Sequence, residues 1–248
     1  MRYPQPQLHQ IGLNEPLPPP SMAWDKDTPA PGLLAIGGGL SVQRLLHAYG
    51  QACFPWYSEG QPVMWWSPDP RMVLPVSQFR LHRSLRQSIK LFSNNPLAEI
   101  RIDTAFAQVI QACAAAPRAG QNGTWIVPDM VRAYFALHKA GHAHSVETWI
   151  GDELVGGLYC VAIGQAVYGE SMFSRQTNAS KIALAALTAL CRSQGVKLID
   201  CQQNTAHLAS LGAHPIPRSD FVHHITQATA MPGLRWQFDP LYWLELSN

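Results

Sequence analysis

Two short segments end an apolar run on groups that can do chemistry. In "KLIDCQ" the strand period of two sets Asp200 and Gln202 on one face and Ile199 and Cys201 on the other. In "AVYGESMFS" the same rule pairs Glu170 with Met172, and Ser171 with Phe173. A carboxylate at the tip of an apolar strand is costly unless a partner or a substrate uses it. The two tips bracket one helix, over residues 179–193, and together make a polar platform for holding an amine or moving a proton. Taken singly, each acid equally suits capping of a neighbouring helix or loop.

Other residues extend or restrict that chemistry. "FPWYSEG", "MWWSPDP" and "GTWIVPD" hold Trp56, Trp65, Trp66 and Trp125 in Pro/Gly-flanked stretches, where indoles serve as platforms for bases or as lids over a core. Arg83, Arg86 and Lys90 recur at i, i+3 and i+7, so they share one helix face that either tracks phosphates or is simply solvated. Gly37–Gly39, ahead of a helix capped by Ser41, suit a tight turn or a phosphate cradle. His142 and His144 share a strand face but lack a nearby third ligand, so no metal is expected. GxSxG, HExxH, P-loop and dinucleotide fingerprints are absent. The five cysteines form no CxxC pair and read as reduced thiols, with Cys201 packed away from Asp200.

The elements that must position these residues follow from period and punctuation. The 248 residues are 47% apolar and 14% charged with a net charge of +2, enough for a real core and neutral on nucleic acid. No apolar run is long enough to span a bilayer and no signal peptide is visible, so a soluble cytoplasmic protein is expected. Residues 1–31 read as an extended proline-rich surface arm. A boundary near Asp69 divides a small N-terminal domain, 1–69, from a larger one, 70–248. Beyond it, helices are expected over 78–92, 104–115 and 128–140. Strand hairpins then turn at Gly151-Asp152 and near Gly164-Gln165. The helix at 179–193, the strand "KLIDC", the helix "NTAHLASLGA" and a strand-like segment around Phe221–Ile225 complete an α+β order.

Several of these segments, read in order, carry a resemblance. "GLLAIGGGLSVQRLLHAYGQACFPWYSEGQPVMWWSPDPRMVL", "GTWI", "HAHSVETWIGDELVGGLYCVA", "GESMFSRQTNASKIAL" and "KLIDCQ…HLASLGAHPIPR" closely resemble the leucyl/phenylalanyl-tRNA–protein transferases over roughly residues 31–222. The resemblance implies a small N-terminal domain and a GNAT-like acyltransferase domain using no metal, no acetyl-CoA and no other cofactor. It implies transfer of Leu or Phe, and less well Met, from aminoacyl-tRNA to proteins with N-terminal Arg or Lys, marking them for N-degron proteolysis. Asp200 and Gln202 match the family's catalytic pair, and Trp56 and Trp125 match residues near the 3′-terminal adenosine. Glu170 and Ser171 fall in the aminoacyl site, with Met172, Phe173, Leu158 and Ile199 assigned to substrate binding. Arg83, Arg86 and Lys90 fall on the tRNA-backbone helix. Leu158 stands where the family often has Met, and Gln87 where a cation is common. The rival readings are a Fem-type transferase with another acceptor, a CoA-dependent GNAT enzyme and a non-catalytic tRNA-binding module. No pyrophosphate-binding Gln/Arg-x-x-Gly-x-Gly/Ala loop precedes the 179–193 helix, which disfavours CoA.

Overall fold

Short apolar runs broken by Gly and Pro fill the first seventy residues and build a small sheet. In the computed structural model, which describes residues 7–116 and 126–246, the sheet holds β1 (His9–Ile11), β2 (Leu33–Gly37), β3 (Phe54–Pro55) and β4 (Met64–Trp66) in the order β1-β2-β4-β3. Helix α1 (Val42–Gly50) starts at the expected cap, where Ser41 Oγ accepts the Arg44 N–H at 3.2 Å. Its Leu45, Ala48 and Tyr49 are fully buried.

The proline-rich arm is more than a surface strap. It supplies β1, buries Leu17 and Ala23, and is pinned by the Arg44 guanidinium, which donates to the carbonyls of Gly12 (3.3 Å), Leu13 (2.8 Å) and Glu15. Gly37 has φ +94°, and a Cβ there would lie 2.5 Å from the Ile11 carbonyl oxygen. The glycine run therefore serves the close approach of β1, in a backbone region that favours glycine.

The second sheet contains β5 (Arg71–Pro75), β6 (Ala98–Ile102), β7 (Ala143–Ile150), β8 (Glu153–Ile163), β9 (Ala166–Ser174), β10 (Leu198–Gln202) and β11 (His214–Ile216), ordered β11-β5-β10-β9-β8-β7-β6. Its helices are α2 (Arg83–Ser93), α3 (Phe106–Ala115), α4 (Pro128–Lys139), α5 (Ala179–Ser193), α6 (Ala206–Ser210) and α7 (Arg218–Ala228). Neighbouring strands are antiparallel except β9 and β10, which run parallel and are joined through α5. Alternation sorts the core: Tyr159 and Val161 pack with α1, α3, α4 and α7, whereas Leu158 and Cys160 pack with α2 and α5.

The α+β order is as expected, with differences at its ends. The segment expected as a strand around Phe221–Ile225 is the helix α7. Its buried Phe221, Ile225 and Ala228 are spaced i, i+4 and i+7, and Pro217 opens the turn, so the helical period wins. Strands β6 and β11 were not anticipated; β6 alternates weakly, and β11 has three residues of which one is proline. Among the described residues, no helix is long and apolar enough to cross a membrane.

Helix α5 lies close against the sheet because its inner face is alanine-rich and Gly156 of β8 has no side chain. A Cβ at Gly156 would meet the Ala179 Cβ at 2.5 Å and the Ala179 carbonyl carbon at 2.9 Å. Gly156→Ala is expected to lower the unfolding free energy by about 1–3 kcal/mol in urea titration. Unchanged stability would mean that α5 can shift without loss.

Candidate functional site

The two acid-bearing segments singled out in the sequence lie side by side, but neither acid ends its strand as expected. Glu170 is the fifth of the nine residues of β9 and Asp200 the third of the five of β10, because pairing with β8 and β5 continues past them. β9 and β10 pair at Ile199↔Val167 and Asp200↔Tyr168, and beyond that pairing a cavity of about 290 Å³ opens. Leu158, Met172, Leu184, Leu187, Ile199 and Leu208 supply its apolar walls. Glu170, Asp200 and Gln202 supply its polar end.

Strand alternation does not predict this arrangement, because both strands break it. The β8–β9 register passes from Tyr159↔Ser171 to Cys160↔Gly169, leaving Glu170 as the extra residue of a bulge. Gly169, Glu170, Ser171 and Met172 therefore all line the cavity, while Phe173 returns to the core at 5% exposure and does not. On β10 the register with β5 shifts between Asp200 and Gln202, and Gln202 has φ +61°. The common face expected for Asp200 and Gln202 is thus lost. Asp200 turns toward β5, and Gln202 turns toward Glu170.

Asp200 meets a fully buried cation. Arg71, the first residue of β5, donates from Nε to Oδ1 at 2.8 Å and from Nη2 to Oδ2 at 2.6 Å. Arg71 Nη1 also donates to the Ala52 carbonyl at 3.1 Å, and the guanidinium lies between the rings of Phe54 and Phe221, 4.7 and 4.6 Å from their centroids. The backbone N–H of Gln202 adds a third donor to Asp200, at 2.9 Å to Oδ1. With both oxygens engaged by a bidentate arginine, Asp200 acts as a rigid anchor for the Gln202 backbone.

Among the described residues, Glu170 pairs with no cation. Its Oε1 accepts from Tyr49 OH and Gln202 Nε2, both at 2.7 Å, and its Oε2 accepts from Tyr134 OH at 3.2 Å. The two phenol oxygens are themselves 2.5 Å apart. Three oxygen–oxygen contacts around this ring share two phenolic protons, so a proton on Glu170 completes the set. Burial, reinforced by the neighbouring Asp200 charge and offset by the hydrogen bonds, raises the Glu170 pKa to about 7. The carboxyl therefore exchanges a proton near neutral pH, which suits a general base.

The remaining expected residues divide. Leu158, Met172, Ile199, Ser171 and Trp56 line the cavity. Trp56 and Trp66 are half-buried and meet edge-on at 5.5 Å, whereas Trp65 is fully buried core. Trp125 lies outside the described residues. Arg83, Arg86 and Lys90 are exposed on α2 and are not among the residues lining the cavity. Cys201 lines the wall, and burial pushes its thiol up, against a nucleophilic role. His144 stacks on Trp236 and bonds Asp103 at 2.7 Å; no group of metal-holding side chains occurs among the described residues. Sequence reasoning missed Arg71, Tyr49, Tyr134, Leu184 and Leu187. Arg71 left a signal, a lone charge heading the apolar run "RMVLP".

Comparison with known proteins follows the same lines. The family model for leucyl/phenylalanyl-tRNA protein transferase matches residues 73–226, and the model for the N-terminal domain of that family matches residues 38–69. A leucyl/phenylalanyl-tRNA–protein transferase of Polaromonas sp. (strain JS666) is 58% identical over 236 residues, covering 95% of this chain and 92% of its own. Those of Albidiferax ferrireducens and Leptothrix cholodnii are 59% and 57% identical, covering 97% and 98% of this chain and 95% of each relative. The solved structure of L-PGS from Bacillus licheniformis aligns with a TM-score of 0.38 at 12% identity, covering 56% of this chain and 49% of its own, too distant to bear on fold or function.

The raised Glu170 pKa carries a sign for stability. The folded state binds this proton more tightly than the unfolded chain, so the contribution is full below about pH 4.5 and is lost as pH rises through about 7. The unfolding free energy of the unaltered protein, relative to Glu170→Gln, is expected to fall across that window in urea titrations. A constant difference would refute the assignment.

Proposed function

Because the chain belongs to the leucyl/phenylalanyl-tRNA–protein transferase family, we propose that the cavity between β9 and β10 is where its aminoacyl-tRNA donor reacts with the amino terminus of its protein acceptor. The chain is an aminoacyltransferase with a small N-terminal domain and an acyltransferase-like C-terminal domain. We draw the division at 1–69 and 70–248. One observation carries the reading: an apolar cavity that ends on a carboxyl poised near neutral pH.

In this reading the leucyl or phenylalanyl side chain of the donor fills the space among Leu158, Met172, Leu184, Leu187 and Ile199. That leaves its ester carbonyl at the Gln202 end. The acceptor is an N-terminal Arg or Lys, whose α-amine has an ordinary pKa of about 7.7–8.0 and is partly neutral near pH 7. Its nitrogen attacks the ester carbon, the bond to the ribose 3′ oxygen breaks, and a peptide bond forms. The amine proton passes to Glu170, which hands it to the departing ribose oxygen, so the tRNA leaves with a free 3′ hydroxyl and the carboxylate is restored. The ester is already activated, so positioning and one proton acceptor suffice. Asp200 and Arg71 hold Gln202, whose side-chain oxygen orients the amine. Trp56, with Trp125, takes the terminal adenosine, and Arg83, Arg86 and Lys90 take the tRNA backbone. The reaction belongs in the cytoplasm, where aminoacyl-tRNA is made.

Incubated with Leu-tRNA and a peptide beginning with Arg, the protein is expected to add one leucine by mass, and none to the same peptide beginning with Ala. Equal addition to both would remove the acceptor rule, and addition to neither would remove the reading. Glu170→Gln is expected to lower kcat by about 10²–10⁴. A base must be ionised, so the unaltered enzyme should gain rate as pH rises through about 7. In the variant that rise disappears, leaving the one set by the α-amine. A variant that keeps the rise near 7 would show that another group takes the proton.

A further inference from the structure

We infer that His82 is a positioning residue for donor selection, an inference that rests on the transfer reading above. By holding α6 through the Ser210 carbonyl, it sets how far Leu208 stands into the donor cavity.

The walls of that cavity differ in how firmly they are built. Leu158, Met172 and Ile199 stand on paired strands of the large sheet, and Leu184 and Leu187 on α5, which is packed on Gly156 with no room for a Cβ. Another side is closed by Thr205 and Leu208, from the short segment that carries α6. All of α6 is exposed except Leu208, which is half-buried against the core cluster holding Leu187 and Ile199. The segment lies between two residues with left-handed backbone, Gln202 at φ +61° and Gly212 at φ +104°. A helix this short is not stable by itself, so contacts from outside must hold this wall.

Those contacts come from the residues ahead of α2. The Arg80 N–H donates to the Leu211 carbonyl at 2.8 Å, and a Cβ on Gly212 would stand 2.2 Å from the Gln78 carbonyl oxygen. These fix the far end of the segment, just beyond α6. Within α6, His82 Nε2 lies 2.7 Å from the Ser210 carbonyl oxygen. A carbonyl oxygen only accepts, so Nε2 carries the hydrogen. His82 is the N-cap residue of α2, yet its side chain does not cap that helix and reaches across to α6 instead. Without this bond α6 is held at its ends, and Leu208 is free to swing outward. An apolar pocket discriminates by size only where its walls do not yield, so the softest wall sets the upper limit.

Steady-state kinetics on the full chain test the inference, with an Arg peptide as acceptor and Leu-tRNA or Trp-tRNA as donor. The indole is larger than either expected donor side chain. His82→Ala is expected to raise the ratio of kcat/KM for Trp-tRNA to that for Leu-tRNA about three- to tenfold. His82→Gln, whose carboxamide N–H can reach the same carbonyl, should stay within about twofold of the unaltered protein. Leu208→Ala should raise the ratio as well. Adding His82→Ala to it should change the ratio by less than about twofold, because the two act through one contact. Hydrogen exchange, which needs no substrate, should show the amides of residues 208–211 exchanging about three- to tenfold faster in His82→Ala. A ratio unmoved by His82→Ala, effects that multiply in the double variant, or a His82→Gln variant no better than His82→Ala would overturn the inference. So would unchanged exchange, or an equal fall for both donors, which marks a merely structural role. If the unaltered protein extends no peptide, the transfer reading fails and the selection role falls with it, while exchange still reports whether His82 holds α6.

Discussion

The ion pair of Arg71 and Asp200 is the contact on which the cavity depends. A guanidinium and a carboxylate at 0% and 1% exposure cost several kcal/mol each to desolvate unless every hydrogen-bonding site is used. Here the carboxylate takes two bonds from Arg71 and one from the Gln202 backbone, and the cation takes the Ala52 carbonyl and two aromatic faces. Those partners come from the end of α1, from β3, from the first residue of β5, from β10 and from α7. The pair therefore welds the small sheet to the large one at the point where β9 and β10 separate. It also holds Gln202 in a left-handed backbone conformation, the conformation that turns its amide onto Glu170.

Three acids with the same functional group receive three different assignments from their surroundings. Asp200 is locked by a buried cation. Glu147, also fully buried, is satisfied without a cation by Thr104, Ala105, Ser145 and Trp149 and serves the start of α3. Glu170 faces two phenols and an amide, feels the Asp200 charge, and titrates near pH 7. Of the three, Glu170 combines access to the cavity with a proton it can exchange under ordinary conditions.

The cavity itself comes from faults in regular structure. A bulge at Glu170 turns four successive residues toward one space, and the register shift on β10 separates two residues that alternation would set together. Around these faults the supports are rigid: Tyr168 OH donates to the Tyr49 carbonyl at 2.7 Å, tying α1 to β9 directly beneath Glu170, and α5 packs on Gly156 with no room for a Cβ. Irregular backbone held by regular packing places side chains with a precision that a free loop does not reach.

The amino-acid sequence by itself determined much of this protein. Period and punctuation located α1, α4, α5 and the hairpins β7-β8-β9, because local propensity, caps and turn glycines act over a few residues. The motifs "GESMFS" and "KLIDCQ" drew attention to the two acid-bearing strands that border the cavity, since a carboxylate set in an apolar run is visible without any structure. Tertiary structure alone decided what those acids do. Arg71 lies 129 residues from Asp200, and Tyr49 lies 121 from Glu170; no pattern in the chain links such positions. The bulge and the shifted register arise from pairing between strands, which a period-two reading of one strand does not contain. Burial, and with it the proton affinity of Glu170, exists once both sheets have closed around the site.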